Sequence, residues 1–328
     1  MIDRRLFVGA LALNLAGASS ALRSQPAPRI HRLGVLRPTP PLLPGDPLGG
    51  LLEAALRELD YAVGRNLVIE SRSAGGDIDR LPELARELVR SRVDVIFAVG
   101  TAAIHAARAA APTLPIVFFG NLDPVAAGWV RSLARPGRNV TGVLIGAEST
   151  LAAKRLQLLK EALPRATRIA VLAPDDPGFG AQAQEVRTAA TVLGVALVDA
   201  VVSGGDYERA FASALKGRAE AMFVGATTYA VRDRQRIIEL AAKHRLPATY
   251  EWPEQARDGG FMAYGTSLQG TYQRIASYLD RILRGERPGE LPVLQPTEFR
   301  LVINLKTAKA LGLTIPHSVL LRADEVIQ

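Results

Sequence analysis

From about residue 30 onward, short apolar, β-rich runs alternate with longer stretches of helical periodicity, and the alternation begins twice. Parallel strands need crossovers of a dozen or more residues, usually helices, so this pattern restricts the chain to an α/β architecture. In the first block the runs 33–36 (LGVL), 67–70 (LVIE), 93–99 (VDVIFAV), 115–119 (PIVFF) and 140–145 (VTGVLI) read as strands. Residues 47–60 and 80–90 read as helices, the latter with Leu81, Leu84, Leu88 and Val89 on one face. The pattern then restarts, with helices at 150–163, 180–193, 206–216 and 229–245 between strands at 168–173, 195–202, 221–224 and 248–250. A hinge is expected near 146–150, with one sheet on either side. At 328 residues the chain also exceeds the size at which a single core stops growing.

The end of the chain breaks the two-block scheme. A further strand at 261–264, an amphipathic helix over 268–285 (Leu268, Tyr272, Ile275, Leu279, Ile282) and a last strand at 299–303 must pack on units already built. The chain is therefore expected to cross between lobes more than once, giving a hinge suited to closing on a ligand.

Residues 1–28 have the form of a signal peptide. Arg4 and Arg5 precede a short apolar run, small residues follow over 16–21, and Pro26 and Pro28 come next. The apolar run is too short to span a bilayer comfortably. The paired arginines also fit a twin-arginine signal, and no cysteine follows that could carry a lipid anchor. A periplasmic location is expected. Arg4, Arg5 and Arg23 against Asp3 account for two of the formal +8 charges. The remaining Arg and Lys are scattered among Asp and Glu, without the basic stripe that nucleic-acid binding requires. With no cysteine there are no disulfides, thiolate metal sites or Cys nucleophile.

Signatures of catalysis are missing. His31, His105, His244 and His317 have no metal-ligand spacing, and no phosphate-binding glycine fingerprint or G-x-S-x-G elbow occurs. Asp175–Asp176 reads as a turn before Pro177–Gly178, because adjacent side chains diverge. No catalytic residue, metal or cofactor is expected.

The chain does place polar and turn residues just past the carboxyl ends of its strands, where open α/β sheets bind ligands. Arg37 and Thr39 follow the first strand, with Arg37 a candidate partner for an anion. Thr101 and Ala102 follow the third and open a helix whose free N–H groups suit a carboxylate; Thr101 reads equally as a plain cap. Asn121 and Asp123 follow the fourth, where Asp123 before Pro124 either caps a helix or meets ligand. In the second block Thr227, Thr228, Glu251 and Tyr264 hold corresponding places, Glu251 being either a solvated loop charge or an acceptor for a ligand amine.

Five segments carry a family likeness: 133–142 (LARPGRNVTG), 121–125 (NLDPV), 239–247 (ELAAKHRLP), 298–312 (EFRLVINLKTAKALG) and 320–326 (LLRADEV). With these the chain resembles the bacterial ABC-transporter substrate-binding proteins of the type I periplasmic-binding fold, relatives of the tryptophan- and tyrosine-binding proteins. The likeness extends over essentially the whole chain after the signal. It implies two Rossmann-like lobes with parallel sheets, three hinge crossings and delivery of cargo to an inner-membrane permease. The lobes are then expected at 29–147 plus about 265–288 and at 148–264 plus about 289–328. The family's ligand loops fall on Thr39, Thr101, Asn121 with Asp123, the loop around Thr228, Glu251 and Tyr264. Where many relatives have an Asp–Pro pair this chain has Thr227–Thr228, so a carboxylate that would fix a ligand amine is absent there. The expected protein is a monomeric receptor for an amino acid or a small carboxylate or aromatic compound, with no nucleic-acid partner. A sensor with the same fold is the alternative. A repressor core fits less well, since an export signal stands where a DNA-binding domain would be.

Overall fold

The computed structural model describes residues 29–40, 50–145, 151–174 and 179–328. The signal peptide, the start of the first helix, the hinge at 146–150 and the Asp175–Asp176 turn lie outside the described residues.

In the first lobe, β1 (His31–Arg37), α1 (Leu51–Arg57), β2 (Leu67–Ser73), α2 (Leu81–Arg90), β3 (Val95–Val99), α3 (Thr101–Ala110), β4 (Ile116–Gly120) and β5 (Val140–Leu144) follow one another. They form a five-stranded parallel sheet in the order β2-β1-β3-β4-β5. Strands β3, β4 and β5 are buried throughout, as the sequence's uninterrupted apolar runs require of strands covered on both faces. Successive side chains of β3 serve opposite cores: Val95, Phe97 and Val99 join one cluster, Ile96 and Ala98 the other. Within β5, Gly142 lets the backbone approach its neighbour, since a Cβ there would lie 2.3 Å from the Phe118 carbonyl oxygen.

The second lobe repeats the plan with α4 (Leu151–Ala162), β6 (Arg168–Pro174), α5 (Gly180–Leu193), β7 (Ala196–Val202), α6 (Tyr207–Lys216) and β8 (Ala221–Val224). It continues through α7 (Thr228–Arg232), α8 (Arg234–Lys243), β9 (Ala248–Tyr250), α9 (Pro253–Arg257) and β10 (Met262–Gly265). The order β7-β6-β8-β9-β10 matches that of the first sheet strand for strand. Helix α10 (Leu268–Leu283) then returns to the first lobe, where Ile275, Ala276, Leu279 and Ile282 join the cluster of α1, β1 and β3. The chain crosses back to form β11 (Arg300–Asn304), α11 (Leu305–Ala310), α12 (His317–Leu320) and β12 (Glu325–Ile327), completing a seven-stranded sheet.

Three details differ from the sequence reading. Residues 289–294, expected in the second lobe, bond to the first: Thr141 donates its hydroxyl to the Leu291 carbonyl at 2.8 Å, and Leu294 exchanges backbone bonds with Gly142 and Leu144. Strand β11 pairs antiparallel with β10, because one leaves the second lobe toward the hinge and the other re-enters from it. The helix expected over 229–245 divides at Asp233, whose carboxylate accepts from the Tyr207 hydroxyl at 2.6 Å and pairs with Arg232.

Candidate functional site

Each sheet reverses its strand order between the strand that starts it and the next strand placed on the other side: β1 and β3 in the first lobe, β6 and β8 in the second. Crevices open at such points, at the carboxyl ends of the strands. Arg37 ends β1, Gly100 follows β3, and Gly225–Thr228 follow β8, so both switch points contribute to one cleft between the lobes.

The first lobe lines this cleft with Arg37, Thr39, Val99, Phe119 and Ile145. The second supplies Ala226, Thr227, Thr228, Val231, Arg232 and Trp252, and α10, which returns to the first lobe, adds Leu268 and Tyr272. Counting its mouth and the open space before it, the cleft has a volume of about 590 Å³. Its aromatic wall is built around Phe119, whose ring centroid lies 6.1 Å from those of both Trp252 and Tyr272. These are ordinary aromatic pair separations, and the pair with Trp252 joins the end of β4 in the first lobe to the end of β9 in the second. The lobes also meet at Gly100. A Cβ there would sit 3.6 Å from Pro38 Cγ and from Thr228 Cγ2, and the backbone adopts φ +84°, a conformation suited to glycine.

The charges lining the cleft are unequal in their partners. Arg232 is paired with Asp233, and although burial opposes its charge, this hydrogen-bonded pairing holds its guanidinium above the usual range. Arg37 makes no ion pair among the described residues, and its Nε is buried without a hydrogen-bond partner. Burial pushes the Tyr272 phenol up, with the nearby Arg37 charge pulling the other way.

Beside the cleft, and sharing Ala226 with it, lies a polar chamber of about 260 Å³ lined by Asn121, Arg155, Gln182, Glu185 and Glu251. Arg155, 1 % exposed, donates to the Val224 carbonyl at 3.2 Å and to Gln182 Oε1 at 3.4 Å, and lies 4.4 Å from the Phe223 ring centroid. Gln182 in turn accepts from the Ala226 N–H and donates to the Ala226 carbonyl. Glu251, 3 % exposed, faces Arg155 at 3.9 Å, beyond hydrogen-bond reach, and its Oε2 has no partner. Burial raises the Glu251 carboxyl to about 7; the attraction of Arg155 opposes this and the Glu185 charge adds to it. Burial raises the Glu185 carboxyl too, against hydrogen bonds from the Ala152 and Ala153 backbone.

Of the residues singled out in the sequence, the structure brings Arg37, Thr39, Thr227 and Thr228 together on the cleft and places Asn121 and Glu251 in the chamber. Thr101 and Ala102 open α3 beside Gly100 without lining either space; the Thr101 hydroxyl donates to the Asn121 carbonyl at 3.4 Å. Asp123 is exposed and caps a turn, accepting from the Val125 and Ala126 N–H groups at 2.9 Å. Tyr264 stacks on Phe299 at 5.9 Å in a different groove, against Leu151, Lys154 and Val192. The sequence reading did not single out Phe119, Tyr272, Arg232, Arg155, Gln182 or Glu185. Tyr272 stood on the apolar face of its helix, the only signal available, and read there as core.

Two α/β lobes, crossed repeatedly by the chain and facing each other over an aromatic cleft, are the architecture of a two-lobed binding protein. The chain belongs to the ABC transporter substrate-binding protein family, whose pattern matches residues 47–327. It is 25% identical over 260 residues to the tyrosine-binding protein of Clostridioides difficile (strain R20291), covering 79% of this chain and 74% of that relative. Among solved structures it is similar to a conserved domain protein of Vibrio cholerae (TM-score 0.76, 25% identity, 91% of this chain and all of that one). It is also similar in fold to a Streptococcus pneumoniae ABC domain solved in complex with L-Trp (TM-score 0.75, 22% identity, 91% of this chain and all of that one). These neighbours share the two-lobed type I periplasmic-binding fold. Among the described residues no helix is long and apolar enough to cross a membrane.

Proposed function

We propose that this chain is the exported, periplasmic solute receptor of an ABC import system. It captures an amino acid or a small carboxylate or aromatic compound between its lobes, delivers it to the permease and performs no chemistry on it. The observation that carries this reading is the cleft itself, in which residues from the switch points of both lobes enclose one space. A ligand lying against Phe119, Trp252 and Tyr272 touches both lobes at once only when they are closed on it, and that differential contact favours the closed arrangement. The name of the Clostridioides relative supports cargo of aromatic amino-acid size, as does the aromatic wall.

The test is a thermal-shift screen over amino acids, aromatic acids and dicarboxylates, run on the wild type and on Thr228→Trp. The new indole would wedge against Gly100 and Pro38, where the lobes meet. A cleft ligand raises the wild-type melting temperature and leaves the variant's unchanged. Equal stabilisation of both proteins by every active compound would refute the reading.

A further inference from the structure

We infer that the cleft selects a monocarboxylate carrying an aromatic or bulky apolar body, and discriminates against the corresponding α-amino acid. This rests on the reading of the cleft as the ligand site and decides between the cargo classes left open there.

The sign of the available charge is positive. Among the described residues that line the cleft only Arg37 and Arg232 are charged, and Arg232 is neutralised by Asp233. That leaves Arg37, without an ion-pair partner among the described residues and with a buried Nε that donates to nothing. A planar guanidinium with free donors matches a carboxylate in a fork-to-fork pairing. The buried Thr39 stands beside it on the same wall.

The described residues of the cleft offer an ammonium group no negative partner. Among the described residues no carboxylate lines the cleft. The Thr227 Oγ1 already accepts from the Ala230 N–H at 3.1 Å as the cap of α7. Asp233, the nearest carboxylate along α7, is engaged by Arg232 and by the Tyr207 hydroxyl. Glu251 lies in the adjoining chamber, facing Arg155, and does not line the cleft. An ammonium drawn into the cleft would leave its hydration shell for Arg37, three aromatic rings and a few neutral hydroxyls. Burying a charged donor without an acceptor is the most costly form of mismatch. The body of the ligand, by contrast, is well served: Val99, Phe119, Ile145, Trp252, Leu268 and Tyr272 form a nearly continuous apolar enclosure.

The experiment is calorimetric titration of the full chain with matched pairs: phenylpropionate with L-phenylalanine, hydroxyphenylpropionate with L-tyrosine, and indolepropionate with L-tryptophan. At least one acid is expected to bind at least about tenfold more tightly than its amino acid, the smaller end of what an unpaired buried charge costs. Arg37→Gln should weaken that acid by at least about tenfold while leaving the melting temperature without ligand unchanged. Arg37→Lys should recover part of the loss, since it restores the charge but not the fork. Amino acids binding as tightly as the acids, acid affinity unaltered in Arg37→Gln, or amino-acid affinity lost in Glu251→Gln would each overturn the inference. If no pair binds but other compounds stabilise the wild type and not Thr228→Trp, this inference falls and the cleft reading stands. If no stabilisation depends on Thr228, both fall.

Discussion

Replacing Glu251 by Gln should change how stability depends on pH, and the size of the change follows from where the side chain sits. Burial holds the folded carboxyl's pKa at about 7, against an ordinary value of 4.5 in the unfolded chain. Between those values the folded state carries the proton and the unfolded state does not. Stability therefore falls as pH rises from about 4.5 to about 7, and is level above that. The interval corresponds to about 3 kcal/mol at 1.36 kcal/mol per pH unit. Most of it, about 2–3 kcal/mol, falls between about pH 5 and about pH 8. Glutamine keeps the shape and removes the titration. Urea unfolding of both proteins at the two pH values should show the wild type losing about 2–3 kcal/mol more than Glu251→Gln. Parallel pH profiles would refute the reasoning. They would mean that Arg155, 3.9 Å away, keeps the carboxylate ionised in spite of its burial.

Three further outcomes follow from other parts of the structure. Asp123→Ala removes a cap from an exposed turn, so unfolding experiments should show a loss of about 1 kcal/mol, while titration of any cleft ligand finds its affinity within about twofold of wild type. Arg155→Met leaves the buried Glu251 and the half-buried Glu185 without their cation, and at about pH 8 should destabilise the protein by about 3–5 kcal/mol in the same denaturation assay. Gly142→Ala would drive a Cβ to 2.3 Å from the Phe118 carbonyl oxygen within a buried strand pair; a loss of at least about 2 kcal/mol, or failure to accumulate as folded protein, is expected.

Much of the fold could be read from the chain because buried parallel strands leave an unambiguous trace. VIFAV at Val95–Val99 and AMFV at Ala221–Val224 are continuous apolar runs bounded by turns, and both are buried strands. The direction of β11 left no such trace, since it depends on how the chain re-enters the lobe. The division at Asp233 depends on Tyr207, 26 residues away, holding the carboxylate. The helix after Trp252 is short, and its start is fastened by a bond from the Trp252 N–H to Gln255 that few local patterns reveal.

The site divides along similar lines. The place of Arg37, Thr39, Thr227 and Thr228 on the cleft was legible because the topology dictates at which ends of the strands a crevice opens. Thr101 and Asp123 stand at strand ends too, but a cap and a ligand contact look alike in sequence, and in the structure Asp123 is a cap. The aromatic wall was hidden for the opposite reason: Phe119, Trp252 and Tyr272 are apolar residues on apolar faces, and only the meeting of two lobes distinguishes them from core. Arg155 follows Lys154 on a helix, where a charged pair ordinarily faces water; its burial depends on Phe223 and Gln182 from other elements.

The central claim is that one small molecule is held between the lobes by groups from both. A crystal structure of the complex with a compound that stabilises the wild type and not Thr228→Trp tests it most directly. The account predicts density for the compound between Phe119, Trp252 and Tyr272, with its anionic end on Arg37. Density in the groove beside Tyr264 and Phe299, with the cleft free of ligand, would contradict it.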